Sequence, residues 1–214
     1  MNAALFGARL VADVGVVAGL GVLVLLALAA QQPKLEWVRP RSRYARLIAP
    51  VALLAAFALA YSGHSEAPRP TAGDIFLVTV HVLAAGMWAG GIVALALQRV
   101  PGGWGSADGR ELIARFSRVA LIAFTITAFT GVIRASEALP SFGDLVNSAY
   151  GLVLVFKSAG VLAMVGLSAI AWRRRAGSLK PEALLALFVI AMAALLYAVP
   201  LPPVFPAPSL LVGD

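Results

Sequence analysis

The feature that most constrains the fold of this chain is a succession of apolar segments, each about 20 residues long, separated by short polar loops. A helix of that length crosses the hydrocarbon core of a bilayer and satisfies its own backbone hydrogen bonds there. The sequence predicts six such helices, at residues 10–30, 44–62, 75–97, 113–134, 149–172 and 183–199. The predicted fold class is therefore an all-α integral membrane protein, a bundle of six transmembrane helices.

The composition agrees with a single membrane domain. Hydrophobic residues make up 61% of the 214 residues and charged residues 13%, and the mean hydropathy of +0.90 lies far outside the range of soluble domains. Residues 1–200 are predicted to form one six-helix membrane domain, and residues 201–214 a proline-rich external tail. The first segment is too long for the core of a signal peptide, so we expect it to remain as a helix.

The basic residues indicate topology rather than nucleic-acid binding, because they lie in short loops between apolar segments. The net charge is +7, and lysine and arginine accumulate in cytoplasmic loops. The side predicted to be inside holds Lys34, Arg39, Arg41, Arg43, Arg46, Arg99, Arg110, Arg115, Arg118, Arg173, Arg174, Arg175 and Lys180. The opposite side holds only Arg9, Arg69 and Arg134. This bias predicts that both termini lie outside, on the periplasmic side.

Several functional classes are excluded by what the sequence lacks. It has no cysteine, so disulfides and thiolate metal ligands are excluded, and soft-metal binding would fall to methionine and histidine. It contains no glycine-rich phosphate loop, zinc-protease helix or nucleophile elbow. We therefore expect a protein that is not an enzyme and that does not hydrolyse ATP.

The two histidines are the most informative polar residues. His64, in "YSGHSE", follows the second predicted helix at the outer surface, and His81 lies about six residues inside the third. At 1.5 Å per residue, His81 is roughly 9 Å below that surface. It is either a ligand for a transported ion or a structural residue that hydrogen-bonds a backbone carbonyl or a threonine of a neighbouring helix.

Further polar residues are predicted in the outer half of the membrane, where they would face the protein interior because ionisable groups are costly in lipid. They are Asp13, Thr130, Arg134 and Lys157. The favoured role for Lys157 is an ion pair with Asp13 or Glu137; its long stem would also let it reach the outer interface.

Helical spacing places other residues beside these polar groups. His81 and Trp88 share one face of the third helix by i, i+7 spacing, and Gly86 and Gly90 permit close contact with another helix. Lys157 and Met164 share a face of the fifth helix in the same way. Met192 of the sixth helix is predicted at a depth similar to that of His81.

Three segments resemble the CopD family of copper-resistance membrane proteins. They are "HVLAAGMWAGGIVAL", "RFSRVALIAFTITAFTGVIRA" and "NSAYGLVLVFKSAGVLAMVGLSA", and the CopD-like region extends over about residues 64–200. The resemblance implies a multi-pass protein of the bacterial inner membrane that moves or handles copper. It also implies a partner, a periplasmic CopC-like copper-binding protein, since this chain lacks the added soluble domain of longer family members.

The resemblance assigns His64 and His81 as candidate copper ligands, with copper as the bound ion. The supporting motif positions are Trp88, Gly90, Gly91, Arg134 and Lys157. Imidazole binds both copper oxidation states and thioether favours Cu(I), so the chemistry agrees. Further ligands or pathway residues are left open among Asp13, Glu66, Met164, Met192 and water. Import is the favoured direction, although export would use the same residues.

Two other functions remain open from the sequence. In a haem-b membrane cytochrome, two histidines on different helices would ligate the iron, but His64 and His81 are predicted at different depths. A copper-delivery accessory protein would bind copper at the same histidines without moving it across the membrane. A purely structural membrane subunit is the remaining alternative, in which neither histidine binds metal.

Overall fold

The computed structural model describes residues 3–31, 33–38, 45–61, 71–174 and 179–202. Within these ranges the regular structure is helical throughout, as predicted. The long helices are α1 (Ala3–Ala30), α2 (Ala45–Tyr61), α3 (Ala72–Ala96), α4 (Ala107–Ala138), α5 (Ala149–Arg174) and α6 (Lys180–Ala198). A 3-10 segment, Pro33–Val38, follows α1, and a four-residue helix, Asp144–Asn147, precedes α5.

The described helices agree with the predicted membrane spans at most positions. Helices α1, α3, α4, α5 and α6 are each long and apolar enough to cross a bilayer. Helix α2 has 17 residues and contains Pro50, and its apolar part is shorter than a full span. The all-helical membrane class is thus confirmed, while five of the six predicted spans meet the length required of a crossing helix.

Local sequence signals define where several helices begin. The Thr71 hydroxyl accepts a hydrogen bond from the backbone N–H of Asp74, and the Asp74 carboxylate accepts one from the backbone N–H of Thr71, forming a capping box at the start of α3. Ser106 caps α4 through the N–H of Gly109. Gly102 has a φ of 72°, in the left-handed region, and it makes the tight turn between α3 and α4.

Helix α1 is the central element of the described bundle. It packs against α2, α3 and α6, while α4 packs against α3 and α5 packs against α6. One large core cluster is formed by side chains from α1, α3, α4, α5 and α6, including Leu95, Leu112 and Met164, which are almost fully buried. The tertiary contacts therefore bring α1, α3, α4 and α5, which carry the predicted polar residues, into one domain.

The backbones of α1 and α3 are in direct contact because glycines face each other. A Cβ atom at Gly90 would overlap the carbonyl oxygen of Val17, and one at Gly21 would overlap that of Gly90. Gly91 faces α4 instead, where a Cβ would collide with the Phe116 ring. The predicted close helix contact at Gly90 is confirmed, and it sets the distance between α1 and α3.

This contact coincides with a π-helical turn, Gly86–Gly90, inside α3. A π turn inserts one extra residue into a helix and is frequent at functional sites. Trp88, within the turn, packs against Phe124 of α4 with ring centroids 4.9 Å apart. His81 also contacts α4, so His81 and Trp88 both face α4 despite the change in helical pitch.

The glycine contact gives a prediction about stability. Gly90→Ala adds one methyl group against the backbone of α1, so we expect it to lower the free energy of unfolding by about 1–3 kcal/mol, the usual cost of overpacking. The matched control is Gly166→Ala on α5, where an added Cβ meets nothing within 4 Å. Thermal unfolding in detergent measures both. Equal stability of the two variants would contradict the close packing of α1 on α3.

Candidate metal centre at the His81 end of the bundle

His81 is held against helix α4 by a threonine. Its Nδ1 atom lies 2.8 Å from the Thr130 hydroxyl oxygen, and Thr130 is buried, with 4% of its surface exposed. The structural interpretation of His81 predicted such a contact with a threonine of a neighbouring helix, and the structure shows it. The same contact also orients the imidazole for ligation, so it does not separate the two interpretations.

The hydrogen bonds of Thr130 assign the tautomer of His81. The Thr130 hydroxyl donates its single proton to the carbonyl of Ile126, 2.7 Å away, so towards His81 it acts as an acceptor. We therefore assign the proton of the neutral ring to Nδ1, which leaves Nε2 with a free lone pair.

The other ring nitrogen is available to a ligand. Nε2 of His81 has no hydrogen-bond partner within the part of the chain that the structure describes. A Cβ at Gly131 would lie 3.4 Å from the Cε1 atom of His81, an ordinary contact distance, so the imidazole packs directly against α4 at this position. An imidazole fixed through Nδ1–H with Nε2 open is the arrangement of most metal-ligating histidines.

Positive charge surrounds this histidine. Lys157 of α5 and Arg134 of α4 both lie within electrostatic range of His81. Arg134 is paired with Glu137, 3.1 Å away, whereas Lys157 interacts with Asp13 over a longer distance. The sequence predicted that Lys157 would pair with Asp13 or Glu137. In the structure Glu137 pairs with Arg134, and Lys157 interacts with Asp13.

Asp13 belongs to a cluster that the sequence did not predict. Arg9, one turn earlier on α1, forms an ion pair with Asp13 at 3.2 Å. The guanidinium of Arg9 also lies 3.6 Å from the ring centroid of Tyr197 on α6 and donates to the carbonyl of Leu59 on α2. Arg9 thus joins three helices at the His81 end. The i, i+4 spacing of Arg9 and Asp13 could have predicted their ion pair, whereas nothing in the sequence indicated the contact between Arg9 and Tyr197.

The predicted methionines differ in burial. Met164 is completely buried in the core cluster that also contains Trp88, whereas Met192 is half-buried. Both lie in the membrane domain, and neither makes a polar contact in the described ranges. Their roles as pathway residues stay predictions.

The structure brings together part of the predicted site. His81, Thr130, Arg134 and Lys157 meet at one end of the bundle, whereas His64 and Glu66 lie outside the described residues. Within the described ranges, no group of three or more histidine, aspartate or glutamate side chains is arranged to hold a metal ion. The described ranges thus supply one candidate ligand of the proposed pair, His81.

Comparisons with known proteins agree with the resemblance noted in the sequence. A family model described as copper resistance protein D (CopD) matches residues 110–199. The copper transport protein CutJ of Bacillus subtilis (strain 168) is 32% identical over 163 residues, which cover 71% of this chain and 30% of the relative. The chain therefore spans less than a third of the length of that curated relative. No solved structure matches the chain significantly.

The matched region includes most of the site outside α3. Thr130, Arg134, Lys157, Met164 and Met192 lie within residues 110–199, whereas His81 and Trp88 precede them. The CopD-like region estimated from the sequence, about residues 64–200, begins earlier than the family match and ends at nearly the same residue. With five helices able to cross a bilayer, the chain is a multi-pass membrane protein, and its residues 110–199 match the CopD family.

Proposed function

We propose that this protein transports copper across the bacterial inner membrane and that His81 is a copper ligand on the path. The observation that carries the proposal is the second ring nitrogen of His81: Thr130 occupies Nδ1, and no described group bonds Nε2, which lies within a membrane span. The match to the CopD family model and the name of the relative, a copper transport protein, support copper as the transported ion. A transporter of this kind is not expected to be an enzyme.

Ligand chemistry favours copper among the common transported metals. The chain offers imidazole and thioether but no thiolate, and this set suits copper, with thioether selecting Cu(I). A metal ligand that remains neutral also suits a site near Lys157 and Arg134, since it adds no further positive charge. Asp13 would offset part of the charge that an arriving copper ion brings.

The second ligand in this proposal is His64. It follows α2 in the sequence and precedes α3, which carries His81. Arg9 binds the α2 carbonyl of Leu59, five residues before His64. In the proposed topology the chain crosses the membrane six times with both termini outside, so both histidines lie at the outer end. Copper captured there from a periplasmic CopC-like donor would move inwards.

The topology can be tested with single cysteines, because the natural chain has none. Phe142, in the loop between α4 and α5, is 92% exposed, and Gly105, between α3 and α4, has open space around it. We expect a membrane-impermeant maleimide to label Phe142→Cys in intact spheroplasts and Gly105→Cys only after permeabilisation. The reverse pattern would contradict the proposed orientation.

Copper affinity tests the role of His81 and Thr130. We expect His81→Ala to lose one bound Cu(I). Thr130→Val should weaken that site by about 10–100-fold, the usual effect of removing the partner that orients a ligand. Anaerobic titration in detergent against a chromophoric Cu(I) chelator measures both affinities.

The matched control is Thr125→Val on the same helix. The Thr125 side chain is exposed and its hydroxyl bonds only the carbonyl of Leu121, so its loss should leave copper affinity unchanged. If His81→Ala retained every Cu(I) of the wild-type protein, His81 would have only a structural role. If Thr130→Val bound Cu(I) as tightly as Thr125→Val, the proposal that Thr130 orients His81 for copper binding would be wrong.

A further inference from the structure

The loop between α4 and α5 presents two large apolar side chains on its surface. This loop comprises residues 139–148, between the end of α4 at Ala138 and the start of α5 at Ala149. Phe142 is 92% exposed and Val146 is 64% exposed. Single exposed apolar residues are ordinary on protein surfaces, so the position and orientation of these two decide whether they have a role.

The two side chains share one side of a helical turn. The backbone N–H of Leu145 bonds the carbonyl of Phe142, and that of Val146 bonds the carbonyl of Gly143. The turn therefore begins ahead of the four-residue helix Asp144–Asn147. Residues four apart in a helical turn are neighbours on its surface. Phe142 and Val146 thus form one apolar patch.

Hydrogen bonds fix the loop relative to α5. The Asp144 carboxylate accepts bonds from the backbone N–H of Ser141, at 2.9 Å, and from its hydroxyl, at 2.8 Å. The Ser148 hydroxyl donates to the Asp144 carbonyl oxygen, 2.6 Å away, and accepts from the N–H of Gly151, 2.9 Å away. Ser148 therefore caps α5 and joins it to the short helix, so the apolar patch has a defined orientation.

Gly151 sets the depth of the loop. A Cβ at Gly151 would overlap the carbonyl oxygen of Asp144 and lie 2.6 Å from the Cα of Leu145. The short helix therefore packs directly beside the first turn of α5. Gly151 is the third residue of the apolar segment Ala149–Ile170, which is long enough to cross a bilayer. The loop thus lies level with the end of a membrane span and does not extend away from it.

The surroundings of the apolar patch favour lipid. The single charged side chain within residues 139–148 is Asp144, and its carboxylate is bonded inside the loop. On one side of the loop, α4 exposes Phe129 and Val132; on the other, α5 exposes Leu152 and Phe156. Both helices are able to cross a bilayer, so exposed apolar side chains on them face lipid. The patch lies between these two lipid-facing surfaces.

We infer that Phe142 and Val146 insert into the membrane interface at the level of the lipid headgroups and anchor the adjoining ends of α4 and α5 there. Short amphipathic segments occupy this zone with their apolar side towards the acyl chains. Thr130 lies eight residues before the end of α4, so the anchor also sets the depth of the Thr130–His81 pair. The contact involves lipid and not copper, and its test is therefore independent of the proposed function.

This depth is compatible with the labelling expected above for Phe142→Cys. Side chains at the headgroup level contact both the acyl chains and water. A water-soluble maleimide therefore still reaches a cysteine there.

The test places spin labels on single cysteines in the full chain, which has no natural cysteine, reconstituted in phospholipid nanodiscs. Oxygen concentrates in lipid and a nickel chelate in water, so the ratio of spin relaxation by the two reports depth. The lipid reference is Val132→Cys on α4, and the water reference is Gly105→Cys in an exposed turn. We expect the ratio at Val146→Cys to shift from the water reference towards the lipid reference.

The matched control is Asn147→Cys, the exposed polar residue next to Val146. It lies about 100° further round the turn, so its ratio should stay near the water reference. Equal ratios at Val146→Cys and Asn147→Cys, both at the water reference, would overturn the lipid contact. Thermal unfolding identifies any loss of folding. If labelled Val146→Cys does not fold, Phe142→Cys takes its place with the same expected shift.

A second variant tests how the depth is set. Gly151→Ala forces the short helix away from α5, so it should move the Val146→Cys ratio back towards the water reference. Gly166→Ala on the same helix, where a Cβ meets nothing within 4 Å, should leave the ratio unchanged. An unchanged ratio in a folded Gly151→Ala protein would contradict the packing of the loop against α5 as the cause of its depth.

Discussion

A polar side chain inside a bilayer must find its partner within the protein, because lipid offers none. This constraint accounts for the main features of the described bundle. The Thr130 hydroxyl hydrogen-bonds the carbonyl of Ile126 in its own helix and also the imidazole of His81 in the neighbouring helix. Arg9 reaches a carboxylate, a carbonyl and an aromatic ring on three helices. Such contacts require helices that approach closely, and glycines permit a close approach of α3 to α1 at Gly90 and to α4 at Gly91.

The sequence predicted the helices well because their signal is local. The apolar segments matched the described helices, and the glycine spacing at Gly90 predicted the close packing seen there. Trp88 and His81 both face α4, as their spacing indicated. These features depend on the period of one helix, so they can be read without knowing which helix lies beside it. The shortness of α2, with Pro50 inside it, was less evident from the apolar run.

The site was predicted only in part, because contacts between helices depend on their relative register. A threonine was among the partners considered for His81, but the sequence could not select Thr130. The Arg9–Tyr197 contact joins residues 188 positions apart, and the His81–Thr130 contact crosses between α3 and α4. No periodicity within one helix indicates such pairs. The π turn at Gly86–Gly90 also has no simple sequence signal beyond its glycines.

The described part of the membrane domain holds one candidate copper ligand, His81, at the end where Thr130 and Lys157 also lie. Copper transport through this domain is tested most directly by copper flux into proteoliposomes that contain a Cu(I)-responsive chelator. We predict chelator signal with the wild-type protein and at least about a tenfold slower rise with the His64→Ala/His81→Ala variant. Equal flux in the two proteins would contradict the role of the histidines. Copper binding without flux in the wild-type protein would instead indicate a delivery protein and contradict transport.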